Sequence, residues 1–76
     1  MTYFERLIEE KGISEQMLEV EGYSGTNMIP IEVLIDYILI APAHEQEAIK
    51  NTLIKIDFLN GDIVDYFKHL AKAIAL

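Results

Sequence analysis

The chain lacks cysteine and tryptophan altogether and has only two prolines and four glycines in 76 residues. Without thiols it has no disulfide and no cysteine-based metal site, so packing alone must hold the fold. That demand is severe, because a chain of this size buries only about 60% of the surface it exposes when unfolded. A hydrophobic content of 51% meets it. The opening residues, Met1-Thr2-Tyr3-Phe4-Glu5-Arg6, show no basic stretch leading into an apolar run, so no signal peptide is expected. No apolar run approaches the roughly 20 residues that cross a bilayer. These absences describe a single cytoplasmic domain over residues 1–76, with no membrane contact.

Catalytic signatures are equally scarce. Ser14 and Ser24 are the only serines, and neither lies in a Gly-x-Ser-x-Gly elbow. The glycine-containing stretch Glu21–Asn27 has no Gly-Lys-Ser/Thr sequence to cradle a phosphate. His44 stands near Glu45 and Glu47, but neighbouring residues on a helix point in different directions. Asp62, Asp65 and His69 share a helical face, where a helix cap and an exposed pair account for them without a metal. Neither group completes a ligand shell. The expectation is a non-enzymatic protein with no catalytic residue, no cofactor and no metal.

Basic residues are few: six against thirteen acidic ones, a net charge of −7. Their distribution is uneven. Residues 1–47 hold ten carboxylates against Arg6 and Lys11, a net of −8, whereas residues 48–76 hold four lysines against Asp57, Asp62 and Asp65, a net of +1. An acidic half repels phosphate backbones and anionic lipid and attracts basic surfaces. The same acidity also keeps an apolar chain soluble.

The most apolar stretch is Pro30–Ala41, in which Glu32 and Asp36 are the only charges and stand four residues apart. A helix apolar nearly all round is a buried one, so this segment is expected at the centre of the fold. Pro30 belongs in its first turn and Pro42 ends it. Upstream, Thr2-Tyr3-Phe4-Glu5 reads as a capping box opening a helix with Phe4, Leu7 and Ile8 inward, stopped by Gly12. A second short helix is expected from a Ser14 cap, with Met17, Leu18 and Val20 inward. Glu21–Asn27 reads as a loop. A fourth helix is expected over Ala43–Phe58 with Ala48, Ile49, Leu53 and Ile56 buried. A fifth follows Asn60-Gly61, capped by Asp62, with Ile63, Phe67, Leu70 and Ile74 inward. Asn60-Gly61 is also a hairpin signal, and Thr52–Leu59 is compatible with a strand. The helical reading prevails because caps and helical spacing flank it. The fold expected is all-α, a compact bundle of about five short helices around Pro30–Ala41.

Two resemblances bear on function. Phe4–Leu18 resembles the opening of repressor-type helix-turn-helix domains, in which a Leu, two acidic residues, Lys, Gly and then Ser with Glu or Gln join the first two helices. That likeness implies nucleic-acid binding. The pattern departs where a polar recognition helix should follow, since an acidic loop and an apolar helix stand there instead. The phrases Asn27–Val33 and Lys55–Ile63 are similar to short accessory proteins of Gram-positive phages and integrative elements, which implies a regulator or inhibitor of another protein. The function expected is therefore a small acidic module that binds a protein partner with a basic surface, with homodimerisation compatible with so apolar a centre. Glu9, Glu10, Glu15, Glu19, Glu21, Tyr23, Asn27 and Met28 are the candidate partner-binding residues, with Glu32, Asp36, Glu45 and Glu47 extending the acidic surface. The alternative is a degenerate helix-turn-helix protein that binds nucleic acid.

Overall fold

The computed structural model describes residues 1–59 and 61–74. It places α1 over Tyr3–Glu10, β1 over Met17–Gly22, β2 over Gly25–Pro30, α2 over Ile31–Leu39, α3 over Ala43–Leu59 and α4 over Ile63–Ile74. The described residues thus form a mixed fold, with four helices and a two-stranded antiparallel sheet, and not the expected five-helix bundle.

Local chemistry accounts for α1. Thr2 and Glu5 form the expected capping box, with the Glu5 amide donating to Thr2 Oγ1 at 3.3 Å and the Thr2 amide donating to Glu5 Oε1 at 3.0 Å. At the other end Gly12 adopts φ 68°, a left-handed conformation that glycine enters without strain. The amides of Gly12 and Ile13 then donate to the carbonyls of Glu9 and Ile8, at 3.1 and 2.9 Å. These two bonds make a Schellman stop, and half-buried Ile13 closes it against the core.

The next segment corrects the sequence reading. Met17–Gly22 is a strand, and Ser14 lies in the turn before it and caps no helix. Met17-Leu18-Glu19-Val20-Glu21 alternates apolar and acidic from Leu18 onward, a period of two that buries Leu18 and Val20 and exposes Met17, Glu19 and Glu21. The stretch read as a loop is the rest of a hairpin. β1 pairs with β2 in the register Leu18↔Ile29, Val20↔Asn27 and Gly22↔Gly25, leaving Tyr23-Ser24 as a two-residue connection. Gly25 sits at φ 119°, outside the range of ordinary L-residues. A further ladder bond runs from the Ile31 amide to the Gln16 carbonyl at 2.9 Å, tying the start of α2 to the base of the hairpin.

α2 begins one residue after Pro30, which closes the strand and stands at the helix cap. The segment is central but not buried all round. Ile31, Leu34, Ile35 and Ile38 are buried, whereas Glu32, Val33, Asp36 and Tyr37 face outward. Nine residues make about two and a half turns, and only one face meets the rest of the molecule.

After the Pro42 break, α3 runs as expected, but of its predicted stripe only Leu53 is buried. Ile49 and Ile56 are half-buried and Ala48 is exposed. α4 buries Ile63, Phe67 and Ala71, leaves Leu70 half-buried and leaves Ile74 exposed. Asn60 lies outside the described residues. The residues on either side, Thr52–Leu59 and Ile63 onward, are helical, so no hairpin joins them there.

The core is one cluster that takes residues from every element: Phe4, Leu7 and Ile8, the hairpin's Leu18, Val20 and Ile29, four residues of α2, Leu53, and α4's Ile63, Phe67 and Ala71. α4 packs chiefly on β1, and α2 and α3 each touch α4.

Two substitutions test this packing. Leu34→Asp should abolish the cooperative thermal transition, because a carboxylate at a site without solvent access has no partner. Gly25→Ala should keep the fold but lower its stability by about 1–3 kcal/mol in urea denaturation, since alanine resists this backbone conformation.

Candidate protein-binding surface

Two helices bring carboxylates together. Glu5 and Glu9 stand one turn apart on α1, and Glu32 and Asp36 stand one turn apart on α2. All four line a groove of about 380 Å³ whose other lining residues are Met1, Ile8, Ser14 and Ile35. No lysine, arginine or histidine side chain lies in that lining. Ile8 and Ile35 belong to the core, so apolar side chains lie beneath the carboxylates.

Glu5 is the most constrained of the four. Besides the Thr2 amide it accepts the Thr2 hydroxyl, Oγ1 to Oε1, at 2.9 Å. These bonds, the backbone one first and the hydroxyl second, hold the Glu5 carboxyl below the ordinary glutamate range. The helix cap therefore also keeps one wall of the groove charged.

The candidate residues named from the sequence divide among several places. Glu9 lines the acidic groove. Glu10 lines a separate depression with Tyr3, Arg6, Leu7 and Lys50. Lys50 Nζ stands 5.4 Å from the centre of the Tyr3 ring. Glu15 is exposed in the turn before β1. Glu19 and Glu21 lie on the outer side of β1, beside Lys68, His69 and Lys72 of α4. Glu19 pairs across the sheet with Met28, also exposed. Asn27 lies opposite Val20 and lines a shallow hollow with Tyr23, Ser24 and Lys72, and Tyr23 is fully exposed at the hairpin tip. The acidic half is thus not one face. Four of its carboxylates line the α1–α2 groove with no basic side chain among them.

Glu5 escaped the sequence reading because the capping box accounted for it. The signal was present: two pairs of carboxylates at helical spacing, in Glu5/Glu9 and Glu32/Asp36. Glu45 and Glu47 open α3, and of the two only Glu45 lines a groove, an apolar one between α2, α3 and α4.

Lys11 Nζ meets Asp57 Oδ1 at 2.7 Å and is the one ion pair among the described residues. It joins the end of α1 to α3, and the bond from Asp57 raises the Lys11 pKa. Both partners are about two-fifths exposed, so the pair is screened by solvent and salt. Tyr3 beside it is raised, first by burial and then by the negative charges of Asp57 and Glu10.

No three histidine, aspartate or glutamate side chains converge to hold a metal among the described residues. No described helix is long and apolar enough to cross a membrane. No protein-family model matches the chain, and no curated protein or solved structure similar to it was found.

The Glu5 geometry has a pH consequence. A depressed carboxyl adds stability above the ordinary glutamate pKa, and that contribution is lost as pH falls through the lowered folded value. Thr2→Ala removes the hydroxyl that caps α1 and donates to the Glu5 carboxylate. It should cost about 1 kcal/mol at neutral pH, and the difference from the parent should narrow, without vanishing, in thermal melts carried below about pH 4.

Proposed function

We propose that this chain is a non-enzymatic protein-binding module, a regulator or inhibitor of another protein, that takes a basic segment of its partner into the acidic groove between α1 and α2. The observation that carries this reading is the convergence of Glu5, Glu9, Glu32 and Asp36 on one groove without a basic side chain. Like charges four residues apart on a helix destabilise it by about 0.2–0.5 kcal/mol per pair. A cationic side chain bound between the two helices would offset such repulsion. The apolar floor at Ile8 and Ile35 would receive the hydrocarbon stem of a lysine or arginine while its head group meets the rim.

The repressor-like opening of the sequence does not lead to repressor geometry. Its second helix is β1, and the α2 that follows presents no basic side chain.

Titration with a lysine- and arginine-rich peptide should show binding that weakens as salt rises. The double substitution Glu9→Gln with Asp36→Asn should reduce that affinity about tenfold, or ~1.4 kcal/mol, while leaving the melting temperature equal to or above the parent's. Unchanged affinity in the double variant, or preferential binding of duplex DNA over the peptide, would overturn the proposal.

A further inference from the structure

The hairpin has two edges, and they differ. The Ile31 amide donates to the Gln16 carbonyl, so hydrogen-bonded pairs recur at every second residue from there, at Leu18↔Ile29, Val20↔Asn27 and Gly22↔Gly25. Glu19 and Glu21 therefore turn their peptide groups outward from β1, and Thr26 and Met28 turn theirs outward from β2. Among the described residues no backbone group of another element bonds the N–H or C=O of Thr26 or Met28. Thr26 and Met28 on the outer face and Asn27 on the core-facing side are all exposed, so this edge is open from both faces.

Charge guards one edge only. Glu19 and Glu21 stand along β1, where charged side chains discourage pairing with another strand. β2 lies within Gly22–Ile31, the longest uncharged run in a chain of net charge −7.

We propose that the β2 edge pairs with the same edge of a second copy, giving a two-fold dimer with one antiparallel sheet in the order β1–β2–β2–β1. Pairing centred on Asn27 sets Thr26 of each copy against the partner's Met28. That register bonds every outward N–H and C=O of Thr26 and Met28, and it asks nothing of Pro30, which has no amide. An edge paired with itself is self-complementary, as two-fold symmetry requires.

Charge also selects the occupant. A basic strand would favour the β1 edge, beside Glu19 and Glu21, whereas a second acidic copy must avoid it. Antiparallel pairing of two β1 edges would set Glu19 against a carboxylate of its own kind, with Cα atoms about 5.5 Å apart. Joined through β2, the two β1 strands stand three strand spacings apart, about 14 Å. That distance exceeds the screening length of ~8 Å at physiological salt. Both outer edges of the resulting sheet are then β1, so the assembly closes at two copies. β2 supplies no residue to the acidic groove, so the two sites are separate.

Sedimentation velocity on the full chain over a concentration series, at low and high salt, tests this inference. The parent should dimerise, and more tightly at high salt, where repulsion between acidic copies is screened. Binding of a basic peptide has the opposite salt dependence, so failure of one proposal is distinguishable from failure of the other. Met28→Pro removes an amide that only the dimer uses, so it should keep the parent's circular dichroism and weaken the dimer about tenfold. Thr26→Lys with Met28→Lys is a second variant that spares the hairpin, because each lysine meets Glu21 or Glu19 across the sheet. Across the dimer it sets lysine against lysine twice, and it should sediment as a monomer. Hydrogen exchange gives the position: the Thr26 and Met28 amides should gain protection as concentration rises, while those of Glu19 and Glu21 do not. A parent that remains monomeric at millimolar concentration in high salt would overturn the proposal. So would a dimer undiminished in both variants, or one whose Thr26 and Met28 amides exchange freely.

Discussion

Everything in this molecule depends on the burial of one side of the β-hairpin against helices. An isolated two-stranded hairpin is marginal in water. Here Leu18, Val20 and Ile29 enter the same cluster as Phe67 and Ala71 of α4 and Ile31, Leu34 and Ile38 of α2. That contact stabilises the strands, and it also sets the direction in which α2 leaves the sheet, since the Ile31 amide closes the ladder on Gln16. With α2 placed, its outward face at Glu32 and Asp36 falls beside Glu5 and Glu9. The acidic groove is a consequence of the hairpin's packing, though no hairpin residue lines it.

The same packing leaves α3 underused. It is the longest helix, yet Leu53 is its only fully buried residue. Its fastenings to α1 are the exposed Lys11–Asp57 pair and the stacking of Lys50 over Tyr3, both solvent-screened. A helix so lightly covered retains apolar area for a further contact. The acidic elements and the apolar surface thus occupy separate grooves.

Much of the helical structure was legible in the residues. The capping box at Thr2 and Glu5, the glycine stop at Gly12 and the two prolines around α2 mark boundaries by chemistry confined to a few neighbouring residues. α3 and the inward positions Ile63 and Phe67 of α4 were readable from helical spacing for the same reason. The hairpin was not. Met17–Val20 is too short for its alternation to outweigh the Ser14 cap signal, and Gly22 and Gly25 resemble a loop until their strands are paired. The all-α expectation failed at that one segment.

Sequence alone determined where helices start and stop, the excess of carboxylates before residue 48 and the lack of thiols or catalytic signatures, because each is a property of residue type or of near neighbours. Tertiary structure decided that Met17–Pro30 pairs as strands, that α2 is covered on one face only, and that α3's apolar side chains divide between core and solvent. It also decided which carboxylates meet. Glu9 and Asp36, far apart in the chain, line one groove, while Glu10, adjacent to Glu9, lines another depression. Burial and groove formation depend on which surfaces meet across long sequence separations, and no local pattern of residues encodes that.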